Sequence, residues 1–356
     1  MTANILPYHY TSEEIYQKEK RKIFHNNWIF FCFKSDLVNH NDFVSGEVGE
    51  IPVVVQNFNG QIKALHNVCS HRFSILQVEK SGNRGLFCPY HGWSYDKTGI
   101  PVGIPKRPFF KDFSNQELCQ LKLKEFYVDY CGDLCFVHID EPQSTLKDFL
   151  SDFYNEISDI SFCKSNLIDK NNFQIKANWK ITLENTLESY HVNLVHPETF
   201  GSLGAKGTLF DFAKNHSSWE SNLNLSENDP KLEKIHNLFS NRRYKINGYK
   251  HFLLYPNLLI SSSYGVSYNF SILTPKSKDE TDFTSLVFLS EPEINNNLVE
   301  VYSKYLIDFN RKVFNEDKII CEQVQKGVLS SEKTGILSLE EERVHSFQKI
   351  YINQLN

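Results

Sequence analysis

Two short arms constrain this chain more than any other feature: Cys69-Ser70-His71 and, after sixteen intervening residues, Cys88-Pro89-Tyr90-His91. Each offers one thiolate and one imidazole, ligands suited to soft or borderline metals. A pair of sulfide-bridged irons can take two thiolates on one iron and two imidazoles on the other, so each arm would serve both irons. Tetrahedral zinc accepts the same four donors. Zinc arms, however, usually pair Cys with Cys and His with His, and here the types alternate. Either site needs two loops that meet. Glycine and proline around the second arm allow close backbone approach and N–H donation to sulfur. Tyr90 and Trp93 are expected to pack over these loops and exclude water. Cys32, Cys119, Cys131, Cys135, Cys163 and Cys321 have no such neighbours and read as buried thiols.

The surrounding sequence supplies suitable loops. From Asp42 to Asp140, short β-branched and aromatic runs alternate with turn residues. Ile51–Phe58, Asn59-Gly60 and Gln61–Val68 form a hairpin signal, because Asn-Gly suits the positive φ of a type I′ turn. Gly92–Gly103 and Tyr127–Ile139 repeat the pattern. A helix is expected over Thr11–Trp28. The style changes near Glu141-Pro142-Gln143-Ser144. Beyond it Leu146–Phe162 and Trp179–Asn193 read as helices, and His216–Lys231 reads as a polar loop. His251–Ser263, Tyr268–Leu273 and Phe283–Leu289 read as strands, and two helices close the chain. The expected class is α+β: a helical segment at 1–40 packing on the larger domain, an all-β domain at 41–142 and an α+β domain at 143–356.

A second set of ligand-type residues lies in that larger domain. Glu188 and His191 are three apart and share a helix face. His196 sits about 140° away from His191 on a straight helix, but Pro197 biases it out of the α region, so its ring can swing back. Near the C-terminus Asp317, Ile320, Val324 and Val328 form an apolar stripe containing one carboxylate. A buried carboxylate needs a partner, and a metal would serve. Two histidines and a carboxylate on one face of a metal form the facial triad of non-haem Fe(II) oxygenases. Without the first set, His191 and His196 read equally as ordinary histidines and Asp317 as a helix N-terminal residue.

Composition removes several classes. With 40% hydrophobic and 23% charged residues over 356 positions the chain is globular. Its net charge of −5 argues against a nucleic-acid partner. No apolar run is long enough to span a membrane. Eight cysteines are too sparse for a disulfide scaffold, and the first residues lack the apolar core of a secretory leader. Reduced thiols and a cytoplasmic location are therefore expected.

The arms, Gly92-Trp93, Asn178-Trp179-Lys180, Glu184-Asn185, the His191/His196 pair and the stretch from Glu316-Asp317 to Gln325-Lys326-Gly327 follow one another in an order that covers most of the chain. In this the chain resembles the α subunits of Rieske non-haem iron oxygenases, and among them the quaternary-amine oxygenases acting on carnitine or on choline and betaine. The resemblance implies an N-terminal Rieske [2Fe–2S] domain and a C-terminal helix-grip catalytic domain. It places Cys69 and Cys88 on one cluster iron, His71 and His91 on the other, and His191, His196 and Asp317 on a mononuclear Fe(II). Glu188 takes the position of a carboxylate that bridges the cluster of one protomer to the iron of its neighbour. That residue is usually Asp, and relatives with Glu include carnitine oxygenases. Its bland alternative is a helix-face carboxylate, and Asn185 either points toward the iron or bonds to the helix backbone.

Also implied are NAD(P)H as the electron source, a flavin and iron–sulfur reductase with or without a ferredoxin, O2 as co-substrate, and a homotrimer. The expected reaction is hydroxylation or oxidative demethylation of a small molecule, a quaternary amine being favoured. Tyr264, Tyr268, Tyr255 and Phe252 offer aromatic faces for a cation or are strand core. The alternatives are dihydroxylation of an aromatic ring, a Rieske electron-transfer protein with inert His191, His196 and Asp317, and a zinc-binding interaction module.

Overall fold

A computed structural model describes residues 1–110, 113–205, 207, 209–223, 235, 238–239, 243–293 and 297–356. Its contacts divide the chain into two compact units, Lys20–Phe149, and Met1–Glu19 together with Leu150–Asn356.

The smaller unit is built on an antiparallel sheet. Its strand order is Ile29–Phe33, Leu134–His138, Glu125–Cys131, Gln61–His66, Ile51–Phe58, Asp42–Val48, Ser81–Asn83. The Asn-Gly hairpin forms as expected: Phe58 pairs with Gln61, and φ is 55° at Asn59 and 86° at Gly60. Phe43, Val54, Leu65, Leu76, Leu86 and Trp93 form an apolar cluster that encloses Cys69 and Cys88. The helix expected over Thr11–Trp28 is shorter. It forms over Glu13–Glu19, passes through a π turn at Lys20–Phe24, and gives way to the strand Ile29–Phe33, where an aromatic run favours extended backbone.

In the larger unit the sheet order is Asn166–Ile175, Glu280–Leu289, Ser267–Ser277, Leu258–Ser263, Tyr249–Leu254, His216–Ser221, Leu209–Ala213. Four expectations are corrected here. His216–Ser221 is an interior strand, not loop, and its serines are buried; they read as loop residues because their partners are distant in sequence. The remainder of that expected loop from 224 onward lies outside the described residues. His251–Ser263 is a hairpin that reverses after Tyr255-Pro256. The helix from Trp179 stops at Thr186. The polar edge strand Asn166–Ile175, largely open to one side, carried no clear alternation and was not anticipated. The expected helix Leu146–Phe162 is interrupted by a 3₁₀ turn at Ser151–Phe153. Helix Asn297–Val328 packs on helix Trp179–Thr186 and on strand Asn166–Ile175.

The Asn178-Trp179-Lys180 motif has a structural explanation. The Asn178 side chain caps the helix by accepting from Lys180 N at 3.0 Å. Glu19 then accepts from the Trp179 indole at 2.9 Å, from Lys180 Nζ at 2.5 Å and from the Tyr351 hydroxyl at 2.6 Å. Glu19 and Lys180 are both 0% exposed, so this network ties the N-terminal segment to two helices of the larger unit. Among the described residues no helix is long and apolar enough to cross a membrane.

Candidate functional site

In the smaller unit the two arms build nearly the same loop. Phe73 N donates to Cys69 O at 3.0 Å and Gly92 N to Cys88 O at 2.9 Å, while Cys69 N donates to Ser74 O at 2.8 Å and Cys88 N to Trp93 O at 2.7 Å. Both loops turn at the fifth position with positive φ, 61° at Phe73 and 74° at Gly92. The geometry puts both thiols inside, 1% and 2% exposed, and both imidazoles outward with ring centroids 4.8 Å apart. Trp93 stacks on His71 at 4.8 Å and shields it. Tyr90 lies against His91 at 3.8 Å but remains exposed. Of the other cysteines all are buried except Cys119, which is exposed, contrary to expectation.

The electrostatics suit thiolate and neutral imidazole. Burial pushes the Cys88 thiol up, but backbone N–H groups of Tyr90 and His91, with Cys69 and Ser74, more than offset it and leave the thiol below its ordinary value. Partial burial, then repulsion from His91 and Arg72, lowers His71. Tetrahedral zinc would draw four donors to within about 4 Å of one another. The alternation of thiolate and imidazole in each arm, with both thiols inside and both imidazoles outward, fits a two-iron cluster. Sequence reasoning missed Tyr95. Ser70 N donates to its hydroxyl at 3.1 Å, which leaves the phenolic hydrogen for Cys69 Sγ at 3.1 Å or Ser70 Oγ at 3.0 Å. Tyr95 lies two residues beyond Trp93, so strand alternation turns it to the same inner side.

In the larger unit the helix break at Leu187 brings the second set together. The chain turns through 187–191, resumes as Val192–Val195 and ends at His196. His191 and His196 then stand with ring centroids 5.2 Å apart. Asp317 Oδ1 reaches 2.9 Å from His196 Nε2 and 3.6 Å from His191 Nε2, and the three donors lie within 4.8 Å of one another. Glu188 holds His191 Nδ1, and Glu316 Oε2 holds His196 Nδ1 at 2.7 Å. With each Nδ1 occupied, both rings present Nε2 to the same point, as metal-ligating histidines do. The residues therefore fit a facial-triad metal. Asn185 Nδ2 donates to Asp317 Oδ1 at 2.8 Å, not to its helix backbone.

Asp317 lies mid-helix and is partly buried, and the inward stripe is out of phase with the expected one: Val313, Cys321 and Gln325 on its face are buried, while Val324 is exposed. Burial pushes the His196 imidazole down, but Asp317 and Glu316 together outweigh it and hold its pKa above the ordinary value. A metal must displace that proton, so uptake weakens as pH falls.

Glu184, one turn before Glu188, behaves differently. Its carboxyl accepts from the Tyr10 hydroxyl at 3.0 Å and from Gln348 Nε2 at 3.1 Å. Burial raises its pKa to about 7 against those hydrogen bonds. The folded protein thus retains a proton that the unfolded chain releases near pH 4.3. Stability is full below that pH and is lost as pH rises through about 7. Glu184→Gln is expected to flatten this slope, visible as a smaller difference between urea midpoints at about pH 5 and about pH 8.

A cavity of about 210 Å³ opens beside the triad, with Phe200, Tyr249, Trp219 and Phe309 among its aromatic walls. Tyr264 and Tyr268 line it as well. Phe252 and Tyr255 do not. They are core, packed against Phe153 at 5.5 Å and Phe347 at 6.1 Å.

The comparisons with known proteins agree with this geometry. Residues 27–114 match the Rieske [2Fe–2S] domain and residues 154–356 match the ring hydroxylating alpha subunit catalytic domain. The chain belongs to the ring-hydroxylating alpha subunit family and carries a Rieske [2Fe–2S] domain. It is 30% identical over 196 residues to the glycine betaine monooxygenase oxygenase subunit of Chromohalobacter salexigens, covering 54% of this chain and 43% of that protein. It is 32% identical over 197 residues to the anthranilate 1,2-dioxygenase large subunit of Acinetobacter baylyi, covering 52% and 41%. The matches thus span less than half the length of these relatives. Among solved structures, the quaternary ammonium Rieske monooxygenase CntA in complex with L-carnitine superposes with a TM-score of 0.80 at 19% identity, covering 100% of this chain and 96% of that one. Naphthalene 1,2-dioxygenase with bound indole gives 0.75 at 20% identity, covering 98% and 91%.

Proposed function

We propose that this chain is the terminal oxygenase of a multicomponent system. It takes electrons from NAD(P)H through a flavin and iron–sulfur reductase, directly or through a ferredoxin, and uses O2 to hydroxylate or oxidatively demethylate a small organic molecule. The observation that carries this reading is the convergence of His191, His196 and Asp317 on one point beside a cavity, in a chain that also carries a Rieske domain.

In this reading Cys69 and Cys88 hold one cluster iron, His71 and His91 the other, and His191, His196 and Asp317 a ferrous ion. When bound, the cluster supplies single electrons and the ferrous ion supplies dioxygen activation. Glu188 and Glu316 fix the tautomers of the two histidines. Asn185 holds the Asp317 carboxylate in place, and the aromatic walls exclude water and orient the substrate. A quaternary amine is favoured over an aromatic ring, because Phe200 and Tyr249 line the cavity, where aromatic rings can hold a cation, and because Glu188 stands where ring dioxygenases carry Asp. Glu188 would also accept from a cluster histidine of a neighbouring protomer, which requires an oligomer, a trimer by family. Activity from a strictly monomeric protein would remove that role.

The test is simultaneous measurement of O2 uptake and oxidised product from the reconstituted system, supplied with quaternary-amine and aromatic candidates. Product in step with O2 supports the reading; an iron-replete protein that reduces its cluster yet oxidises none of them overturns it. One ¹⁸O atom in the product separates monooxygenation from dihydroxylation. Within the same reading, Tyr95→Phe removes a hydrogen bond to cluster sulfur, and such bonds raise the potential. At ~1 kcal/mol for the bond, a drop of roughly 40 mV is expected in an EPR-monitored redox titration.

A further inference from the structure

The end of the cavity formed by strands His216–Ser221 and Tyr249–Leu254 carries polar groups that the reading above does not use. Trp219 and His251 are direct cross-strand partners, and both line the cavity. Arg343, fully buried on the closing helix, stands behind them. Its Nε donates to Ser217 Oγ at 3.0 Å and its Nη2 to Ser217 O at 3.2 Å. Its Nη1 reaches Leu187 O at 3.5 Å and His251 Nδ1 at 3.2 Å. None of these acceptors is a carboxylate, and among the described residues Arg343 makes no ion pair. Burial lowers its pKa only to about 9, so it keeps its charge at neutral pH.

The tautomer of His251 follows from this contact. A guanidinium only donates, so His251 Nδ1 must accept. Burial, then Arg343, pushes His251 well below the ordinary imidazole range, so the ring is neutral and its single hydrogen sits on Nε2. That N–H has no acceptor among the described residues. Nor has the buried indole N–H of Trp219. Two side chains with unspent N–H donors therefore line a cavity that also takes in the metal triad, and an uncompensated buried cation stands behind them. A run of rings joins the triad to Trp219: His196 to Phe200 at 6.3 Å, Phe200 to Tyr249 at 5.5 Å and Tyr249 to Trp219 at 5.2 Å.

We propose that this end anchors a carboxylate of the substrate, His251 Nε2 and Trp219 Nε1 donating to it and Arg343 acting as a positioning residue that fixes the His251 tautomer. A carboxylate satisfies both donors and balances the buried charge, whereas an alcohol or a hydrocarbon leaves the cation uncompensated. The substrate is then a small carboxylate whose far end, an N-methyl group or a ring, lies at the triad. This rests on the oxygenase reading only for what happens at that far end.

Binding to the purified full-length protein, measured calorimetrically without reductant or O2, tests the anchor apart from turnover. Glycine betaine is compared with choline, and benzoate with benzyl alcohol, since each pair differs only in carboxylate against alcohol. The carboxylate should bind about 10- to 100-fold more tightly in at least one pair. Trp219→Phe and His251→Leu should each shrink that ratio about tenfold or more. His251→Gln, which keeps an acceptor for Arg343 and a donor for the ligand, should restore part of it. Arg343→Met should also collapse the ratio; because it also removes buried hydrogen bonds that hold the fold, the Trp219 and His251 variants decide. No carboxylate preference in either pair, no binding of either carboxylate at millimolar concentration, or a preference untouched in both variants overturns the anchor. Carboxylate binding without any O2-coupled oxidation would sink the oxygenase reading and leave the anchor standing. Oxidation of the alcohols at equal affinity would do the reverse.

Discussion

Asp317→Ala is expected to leave about two irons per chain where the intact protein holds about three, two in the cluster and one at the triad. Substrate oxidation should fall by about a thousandfold or more, while the visible absorption and EPR signal of the cluster stay unchanged. The reason is local. Asp317 Oδ1 is the point toward which His196 Nε2 and Asn185 Nδ2 both turn, at 2.9 and 2.8 Å; without it the set of three donors is reduced to two imidazoles. Glu316→Gln should be milder, about 10- to 100-fold in iron affinity or activity, because it disturbs only the group that orients His196. Iron analysis and single-turnover product formation on both variants check the order. A full iron complement with turnover intact in Asp317→Ala would remove the triad from the mechanism.

The second large effect is on stability. Glu19→Ala is expected to destabilise the larger unit by about 3–5 kcal/mol, because it leaves the Lys180 ammonium buried and unpaired. The loss extends further, since the Trp179 indole and Tyr351 hydroxyl also donate to Glu19. Burial already pulls Lys180 below its ordinary pKa, with Glu19 the main opposing influence, so the variant should hold that proton less tightly still. At about 2 °C per kcal/mol for a unit of this size, differential scanning calorimetry should record a midpoint lowered by about 6–10 °C. The double variant Glu19→Gln with Lys180→Met removes both charges and should recover part of the loss. An unchanged midpoint in Glu19→Ala would mean that the buried pair contributes little.

The legible parts of this protein were those whose signal is local. The Asn59-Gly60 hairpin and the two Cys-His arms could be read from spacing alone, because turn chemistry and ligand order lie within a few residues. Pro197 correctly placed His196 outside the α region, at the end of the short helix Val192–Val195, but the break at Leu187, ahead of Glu188 and both histidines, was not foreseen. Groups whose meaning depends on distant partners were hidden. Ser217 reads as a loop residue until Arg343, 126 positions away, supplies its donor, and Glu316 reads as a surface acid until His196 reaches it across 120 positions. The phase of the long helix was misjudged by one residue because its inward face includes a cysteine and a glutamine, Cys321 and Gln325, that hydrophobic periodicity does not count.

The Glu19 to Tyr351 hydrogen bond joins positions 332 apart, and this orders events during synthesis. Lys20–Phe149 is a continuous stretch and can acquire its structure while the ribosome is still translating the rest. The strap ending at Glu19 has no such option: its seat is complete only after Tyr351 has left the exit tunnel. Nascent chains stalled upstream of that residue should therefore have a protease-resistant smaller unit and a freely cleaved N-terminal strap.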